Sequence, residues 1–280
     1  MTSPAGSGSA GKGQHRYTQG HEPATLASHG RRTAQSSCAY LLPVLEPGMR
    51  VLDVGCGPGT ITLDLAEVVA PGEVVGIEPV AGPLAAARDE AARRGDTTTR
   101  FEQADVLALP HDDDSFDVVH AHQVLQHVTD PVTALTEMAR VCRPGGWVAA
   151  RDADYAAMAW FPEVPELDEW RSIYRDVARG NGAEPDAGRR LRGWARAAGL
   201  ADVRLSTSVW TYADDRSCRW WGESQAERYV GRVFAEQAAE HGVDAEQLAR
   251  IGDGWWRWST APDAWFAVVH GELLARLPLG

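Results

Sequence analysis

Val51-Leu52-Asp53-Val54-Gly55-Cys56-Gly57-Pro58-Gly59-Thr60 is the stretch whose reading decides the fold. Its first four residues form a short, mostly apolar run suited to a buried strand. Glycines then stand at every second position, at 55, 57 and 59, and a helical pattern begins at once over Ile61 to Val69. Strand, glycine turn and helix make a unit in which main chain lies close to a nucleotide-like ligand, because glycine puts no Cβ in the way. The first-turn N–H groups of the helix are free to bind it. A dinucleotide fingerprint needs its third glycine at position 60, and that position is Thr60. Asp53, just before the turn, repels a pyrophosphate and suits a ligand with a cationic amine. The alternative is a glycine-rich turn that holds no ligand.

The chain beyond the turn continues the alternation of strands and helices. Pro71-Gly72 turns it into a second strand, Glu73 to Glu78, and Ala81 to Arg94 reads as a helix. Glu78 stands about 20 residues beyond the glycine turn at a strand tip, where a carboxylate offers two oxygens to the adjacent hydroxyls of a ribose. Thr98 to Gln103 is a third strand, followed by Asp105 and Val106, and Asp117 to His120 is a fourth. Asp130-Pro131 caps and opens a helix whose apolar face is Val132, Leu135, Met138 and Cys142. Arg143-Pro144-Gly145-Gly146 ends it, and Trp147 to Arg151 is strand five. Asp152, Asp154 and Tyr155 then fall at a carboxyl strand edge, the side of a doubly wound sheet that faces the ligand crevice.

Asp53-x-Gly55-x-Gly57-x-Gly59 resembles motif I of the class I S-adenosylmethionine-dependent methyltransferases. Val124-Leu125-Gln126-His127-Val128 and the Arg143-Pro144-Gly145-Gly146 turn are similar to segments of the menaquinone- and ubiquinone-type small-molecule members. The resemblance runs from about Met49 to Asp152. It implies an α/β doubly wound, Rossmann-like sheet of seven strands, the last antiparallel, with helical cap insertions at 155–190 and 214–262. It implies S-adenosyl-L-methionine as cofactor. Asp53 would then hold the amino group of the methionine end, directly or through water, and Gly55, Gly57, Gly59 and Thr60 would admit the ligand. Glu78 and Pro79 would lie at the ribose, Asp105 and Val106 at the adenine, and Ala121, His122 and Gln123 along the methionine part. Tyr17 and His21, in a segment that folds over the cofactor as a lid in such enzymes, would cover it. His127 or His122 would serve as general base, since an imidazole titrates near neutrality, and Asp154 is a further catalytic candidate. For each histidine the competing reading is a hydrogen-bonded structural ring.

Composition narrows the functional classes. The chain has 280 residues and a net charge of −12, which disfavours a nucleic-acid backbone as partner. No apolar run reaches the length of a membrane span and no signal peptide is visible, so a soluble, cytoplasmic protein is expected. The four cysteines lie far apart without a C-x-x-C pair, which argues against zinc and disulfides. Three histidines (His120, His122, His127) crowd one turn, but without the regular helical spacing of a metal site, and no metal is expected. Eleven tryptophans, most in the C-terminal third, suggest an apolar or planar acceptor, although ordinary packing accounts for most such residues. The expected organisation is a disordered tail (1–14), lid helices (15–48) including one over Thr33 to Leu42, a cofactor-binding core (49–154), and the remaining sheet with an acceptor-site cap (155–280). Within the cap, helices are expected over Phe161 to Gly180, Arg189 to Ala198, Arg216 to Gly242 and Asp244 to Trp258. Strands are expected over Val203 to Tyr212 and from Trp265 onward. The expected function is in-line methyl transfer to a small, apolar or aromatic molecule. A macromolecule methylase, or a cofactor-binding protein on the same scaffold that does not methylate, are the alternatives. Oligomeric state is not legible.

Overall fold

Strand β1 (Val51–Val54) is buried at all four positions, the condition of a strand covered on both faces. The computed structural model describes Thr18 and residues 29–280. In it β1 runs parallel to β2 (Val74–Glu78) on one side and β4 (Phe116–His122) on the other. Strand β3 (Arg100–Gln103) pairs with β2, and β5 (Cys142–Ala153) with β4, again in parallel. The last strand, β8 (Trp265–Arg276), runs antiparallel to β5 through Trp147↔Arg276 to Ala153↔His270. Strand β7 (Asp202–Tyr212) follows the whole of the opposite edge of β8. The result is the expected doubly wound sheet with its antiparallel final strand.

Side-chain alternation divides the core between the two faces. Leu52, Val54, Val75, Ile77, Val119 and Ala121 point to one side, where α4 (Pro131–Val141) and α6 (Leu191–Ala197) cover them. Val51, Val74, Val118 and Ala149 point to the other, against Leu65 and Val69 of α2 (Thr60–Val69) and Leu41. Leu84, Ala87 and Ala91 of α3 (Ala81–Arg94) pack with Phe101 and Leu63. The start of α4 is as the sequence predicts: Asp130 accepts the Thr133 N–H at 2.9 Å and Pro131 takes the first turn.

Five elements differ from the sequence reading. The helix expected over Thr33 to Leu42 is a single capped turn, α1 (Ala34–Ser37), because Cys38 leaves helical geometry and Pro43 follows with a 3-10 turn at Leu42–Val44. The helix expected over Arg216 to Gly242 is two, α7 (Asp215–Val230) and α8 (Arg232–Ala239), broken at Gly231, which is extended at φ −62°, ψ 150°. Strand β5 starts earlier and ends later than Trp147 to Arg151, since Cys142 already pairs with Phe116. An eighth, short strand, β6 (Ala159–Phe161), pairs antiparallel with the start of β8, and α5 (Pro165–Gly180) begins only at Pro165. The tail at 1–14 and the lid residues Tyr17 and His21 lie outside the described residues. Thr18 is buried, and its hydroxyl accepts from Asn181 Nδ2 at 3.0 Å.

The insertions form a second core of their own. Helices α5, α7, α8 and α9 (Ala245–Ser259) close around Trp170, Tyr174, Tyr229, Trp255, Trp258 and Phe266. The Trp170 and Trp255 rings meet edge to face at 4.8 Å, and Trp258 lies 5.8 Å from Trp255. Most of the tryptophan excess is therefore packing. Trp255 is fully buried, whereas its neighbour Trp256 is about half exposed. Trp255→Ala is expected to cost about 3–5 kcal/mol of unfolding free energy and Trp256→Ala less than about 0.5 kcal/mol, as read by urea denaturation.

Candidate functional site

The three turn glycines all have positive φ, at +67°, +52° and +78°, but their surroundings differ. A Cβ on Gly55 would lie 2.4 Å from Val124 Cγ2, and one on Gly59 would lie 2.9 Å from Ala87 Cβ. Those two are required by packing. A Cβ on Gly57 finds no atom within 4 Å, so this glycine faces open space. Behind it α2 begins without a side-chain cap, leaving its first N–H groups pointing into the same region.

Glu78, at the end of β2, is 8% exposed and accepts the Gly57 N–H at 3.3 Å. Burial pushes its carboxyl up to about 7, against the lowering effect of the Gly57 and Val80 N–H groups. The adjacent Pro79 carbonyl accepts from Gln103 Nε2 at 2.8 Å, tying the tips of β2 and β3 together. Asp105 lies on the exposed loop beyond β3 and accepts the Leu107 N–H at 2.9 Å, while Val106 is buried in the core. Gly57, Glu78 and Pro79 thus gather at the carboxyl edge of β1 and β2, and Asp105 follows β3.

Asp53 has a different setting from the one its sequence position suggests. It is 3% exposed, its Oδ2 accepts from Thr62 Oγ1 at 2.6 Å, and its Oδ1 lies 2.8 Å from His120 Nδ1. Burial opposes charge on His120, but Cys38 and the Asp53 carboxylate outweigh it and raise its pKa. Each Asp53 oxygen thereby has a protein partner, and the buried carboxylate braces β1 against α2 and β4.

The three histidines after β1 go to three places. His120 pairs with Asp53. His122 is 6% exposed, and neither of its ring nitrogens has a hydrogen-bond partner among the described residues. Burial, reinforced by Arg151 and Arg32, holds its pKa well below the usual value, so the ring is neutral. It lies 5.7 Å from Trp210. His127 contacts Gln126, Nε2 to Nε2 at 2.9 Å. Gln126 Oε1 accepts the Ala153 N–H at 3.0 Å, so its amide NH2 donates and His127 Nε2 is the acceptor. That lone pair is occupied, and His127 does not border the cavity described below. Asp154 is likewise committed, forming a bidentate pair with Arg189 at 2.6 and 2.7 Å and capping the 3-10 turn Tyr155–Ala157. Asp152, fully buried, accepts the Gln126 N–H at 3.0 Å, and burial pushes its carboxyl up to about 7. Among the described residues no group of His, Cys, Asp and Glu is placed to hold a metal ion.

A cavity of about 540 Å3 opens over the carboxyl ends of β4, β5 and β7, under the cap. Tyr155, Trp170, Trp210, Tyr212, Trp220 and Trp221 wall it. Gln123 reaches it from the end of β4 in left-handed geometry at φ +54°, an uncommon state for a side-chain-bearing residue. Its amide lies 2.8 Å from His270 Nε2, and its backbone N–H donates to the Arg151 carbonyl at 2.7 Å. Ala121 and Thr60 are buried beneath the same edge. Sequence reasoning placed Val203 to Tyr212 as a strand, the following helix in the acceptor-site cap and the tryptophans as a hint of an apolar acceptor. It missed Gln225 and Arg228, whose one signal is a face of α7, with Trp221, that mixes polar and aromatic residues at helical spacing.

Residues 45–205 match the methyltransferase domain. An uncharacterized methyltransferase of Schizosaccharomyces pombe is 34% identical over 272 residues, covering 92% of this chain and 95% of that protein. The ubiquinone/menaquinone biosynthesis C-methyltransferase UbiE of Bdellovibrio bacteriovorus is 45% identical over 103 residues, 37% of this chain and 43% of its own length. In fold, the chain is similar to the YcgJ protein of Bacillus subtilis, with a TM-score of 0.56 at 19% identity, covering 86% of this chain and 98% of that one. No helix among the described residues is long and apolar enough to cross a membrane. The chain belongs to the methyltransferase-domain family and is a class I methyltransferase that uses S-adenosylmethionine.

Proposed function

We propose that this enzyme methylates a small, planar, apolar or aromatic molecule by in-line transfer. The supporting observation is the aromatic-walled cavity of about 540 Å3 that meets the cofactor edge of the sheet at Gln123. A cleft of this size takes a molecule of a few rings.

The residues at the turn fit the cofactor. The open space at Gly57 admits a ligand against the main chain, and the uncapped start of α2 offers it N–H groups. Glu78 has a buried carboxylate to accept from ribose hydroxyls, with Pro79 beside it. Asp105 and Val106 are assigned to the adenine, and Ala121, His122 and Gln123 to the methionine part. When bound, S-adenosylmethionine supplies a methyl group activated by its own sulfonium charge. The protein's work is then to align the acceptor, exclude water and hold any proton the acceptor gives up. Of the sequence's candidate bases only His122 has no hydrogen-bond partner on its ring nitrogens among the described residues. It stands behind Trp210 and not in the cavity wall, and burial with Arg151 and Arg32 disfavours a proton on it, so it is assigned to shaping the wall. His127 and Asp154 act as positioning residues, His127 through Gln126 and Asp154 through Arg189.

The direct test is incubation of the enzyme and S-adenosylmethionine with planar phenols and quinols, with products followed by mass spectrometry. Acceptor-dependent S-adenosylhomocysteine matched by a methylated product is expected. Methylation of added protein with none of the small molecules turned over would overturn the reading. Two variants test the cofactor assignments by titration calorimetry with S-adenosylhomocysteine. Gly57→Arg fills the open space and is expected to abolish binding. Glu78→Ala is expected to weaken it by about 1–3 kcal/mol. Because the ionised Glu78 is the better acceptor, affinity is expected to be full above its pKa of about 7 and to fall as pH drops through that value. Glu78→Gln should remove that part of the pH dependence; an unchanged pH profile in this variant would contradict the assignment.

A further inference from the structure

Helix α7 presents Trp221, Gln225 and Arg228 to the cavity from one face. All three are buried, Arg228 at 6% exposure and Gln225 at 1%. A buried guanidinium is normally paired with a carboxylate, because an unpaired charge out of water is costly. Among the described residues Arg228 has no ion-pair partner, and its Nε and Nη2, just beneath the cavity surface, have no hydrogen-bond partner; the Tyr229 hydroxyl is the polar group beside it. Gln225 Nε2 and Trp221 Nε1 are also without a hydrogen-bond partner there. All four unengaged atoms are donors. Moreover, Nε and Nη2 form the side edge of the guanidinium, whose two parallel N–H bonds match the two oxygens of one carboxylate.

The charge of the cavity points the same way. Arg31, Arg32 and Arg228 line it, and among the described residues Glu272 is its single carboxylate. Glu272 is already held, by Arg151 Nε at 3.4 Å and by the Ser206 hydroxyl, which donates at 2.6 Å. A chain of net charge −12 thus concentrates positive charge in this cleft. That arrangement draws in an anion and binds it where water is excluded.

We propose that the methyl acceptor is an aromatic or conjugated carboxylic acid whose carboxylate is bound side-on by Arg228, with the Gln225 amide and the Trp221 indole N–H on its remaining lone pairs. The ring system then lies among the tryptophans, and the carboxylate fixes which of its atoms faces Gln123. This inference rests on the reading of the cavity as the acceptor site.

The test uses 2-naphthoate and the neutral, isosteric 2-naphthamide as probes, titrated by calorimetry into the full chain saturated with S-adenosylhomocysteine. Naphthoate is expected to bind ~10- to 100-fold more tightly than the amide, the ratio typical of a charge-assisted hydrogen-bond pair. Arg228→Met should erase this preference by weakening naphthoate far more than naphthamide, while leaving the affinity for S-adenosylhomocysteine unchanged. Arg228→Lys, which keeps the charge but loses the parallel N–H pair, should lose most of it and serves if the Met variant fails to fold. Equal binding of the two probes to the unaltered enzyme, or a preference that survives Arg228→Met, overturns the carboxylate site and leaves the aromatic acceptor cavity standing. Failure of both probes to bind the loaded enzyme overturns both. Failure to load with S-adenosylhomocysteine is a separate result, which removes the cofactor assignments and the acceptor site that depends on them.

Discussion

Asp53 lies at the end of the central strand with 3% of its surface exposed, and its two oxygens join three elements. One is fixed by Thr62 on α2 and the other by His120 on β4. A buried carboxylate is costly unless paired and hydrogen-bonded, and here both conditions are met from within the protein. The consequence is geometric. The chain leaves β1 at a fixed point, turns through Gly55, Gly57 and Gly59, and enters α2 with its free N–H groups facing the crevice. Val124 and Ala87 press on the first and third glycines, so only the middle one faces open space. The ligand-facing turn is therefore shaped by a buried ion pair behind it and by close packing on both flanks.

The carboxyl edge of the sheet divides into two regions that meet at Gln123. Toward β1, β2 and β3 it is glycine backbone and carboxylate, chemistry suited to a nucleoside. Toward β5 and β7 it is aromatic and cationic, under the helices of the second core. The left-handed backbone at Gln123, locked by His270 and the Arg151 carbonyl, lies at their boundary. Strain of this kind persists where surrounding contacts over-determine it and is concentrated at functional sites. The second aromatic core, around Trp170, Trp255 and Phe266, holds the cap together, so one set of tryptophans both stabilises the cap and walls the cavity.

How much was legible in the sequence follows from which interactions are local. Val51 to Val54, the glycine turn and the Asp130-Pro131 helix start are written in neighbouring residues, and the parallel sheet follows from their alternation. The partners of Asp53 were not legible, because His120 is 67 positions away and reaches it only through the pairing of β1 with β4. The same limit applies to Asp154, an acid at a promising strand end that Arg189, far along the chain, takes up as an ion pair. The break at Gly231 and the short β6 depend on how the cap packs, which no local pattern encodes. Arg228 carried in the sequence only its helical spacing from Trp221 and Gln225; its burial without an ion-pair partner among the described residues is visible only when the cavity is.

The central claim is that cofactor and acceptor occupy adjoining halves of one strand edge and meet at Gln123. A crystal structure of the full chain with S-adenosylhomocysteine tests it most directly. The account predicts the adenosine over β2 and β3, its ribose hydroxyls on Glu78, and the sulfur beside Gln123 at the mouth of the aromatic cavity. A sulfur directed away from that cavity, or a nucleoside lodged among the tryptophans, would contradict it.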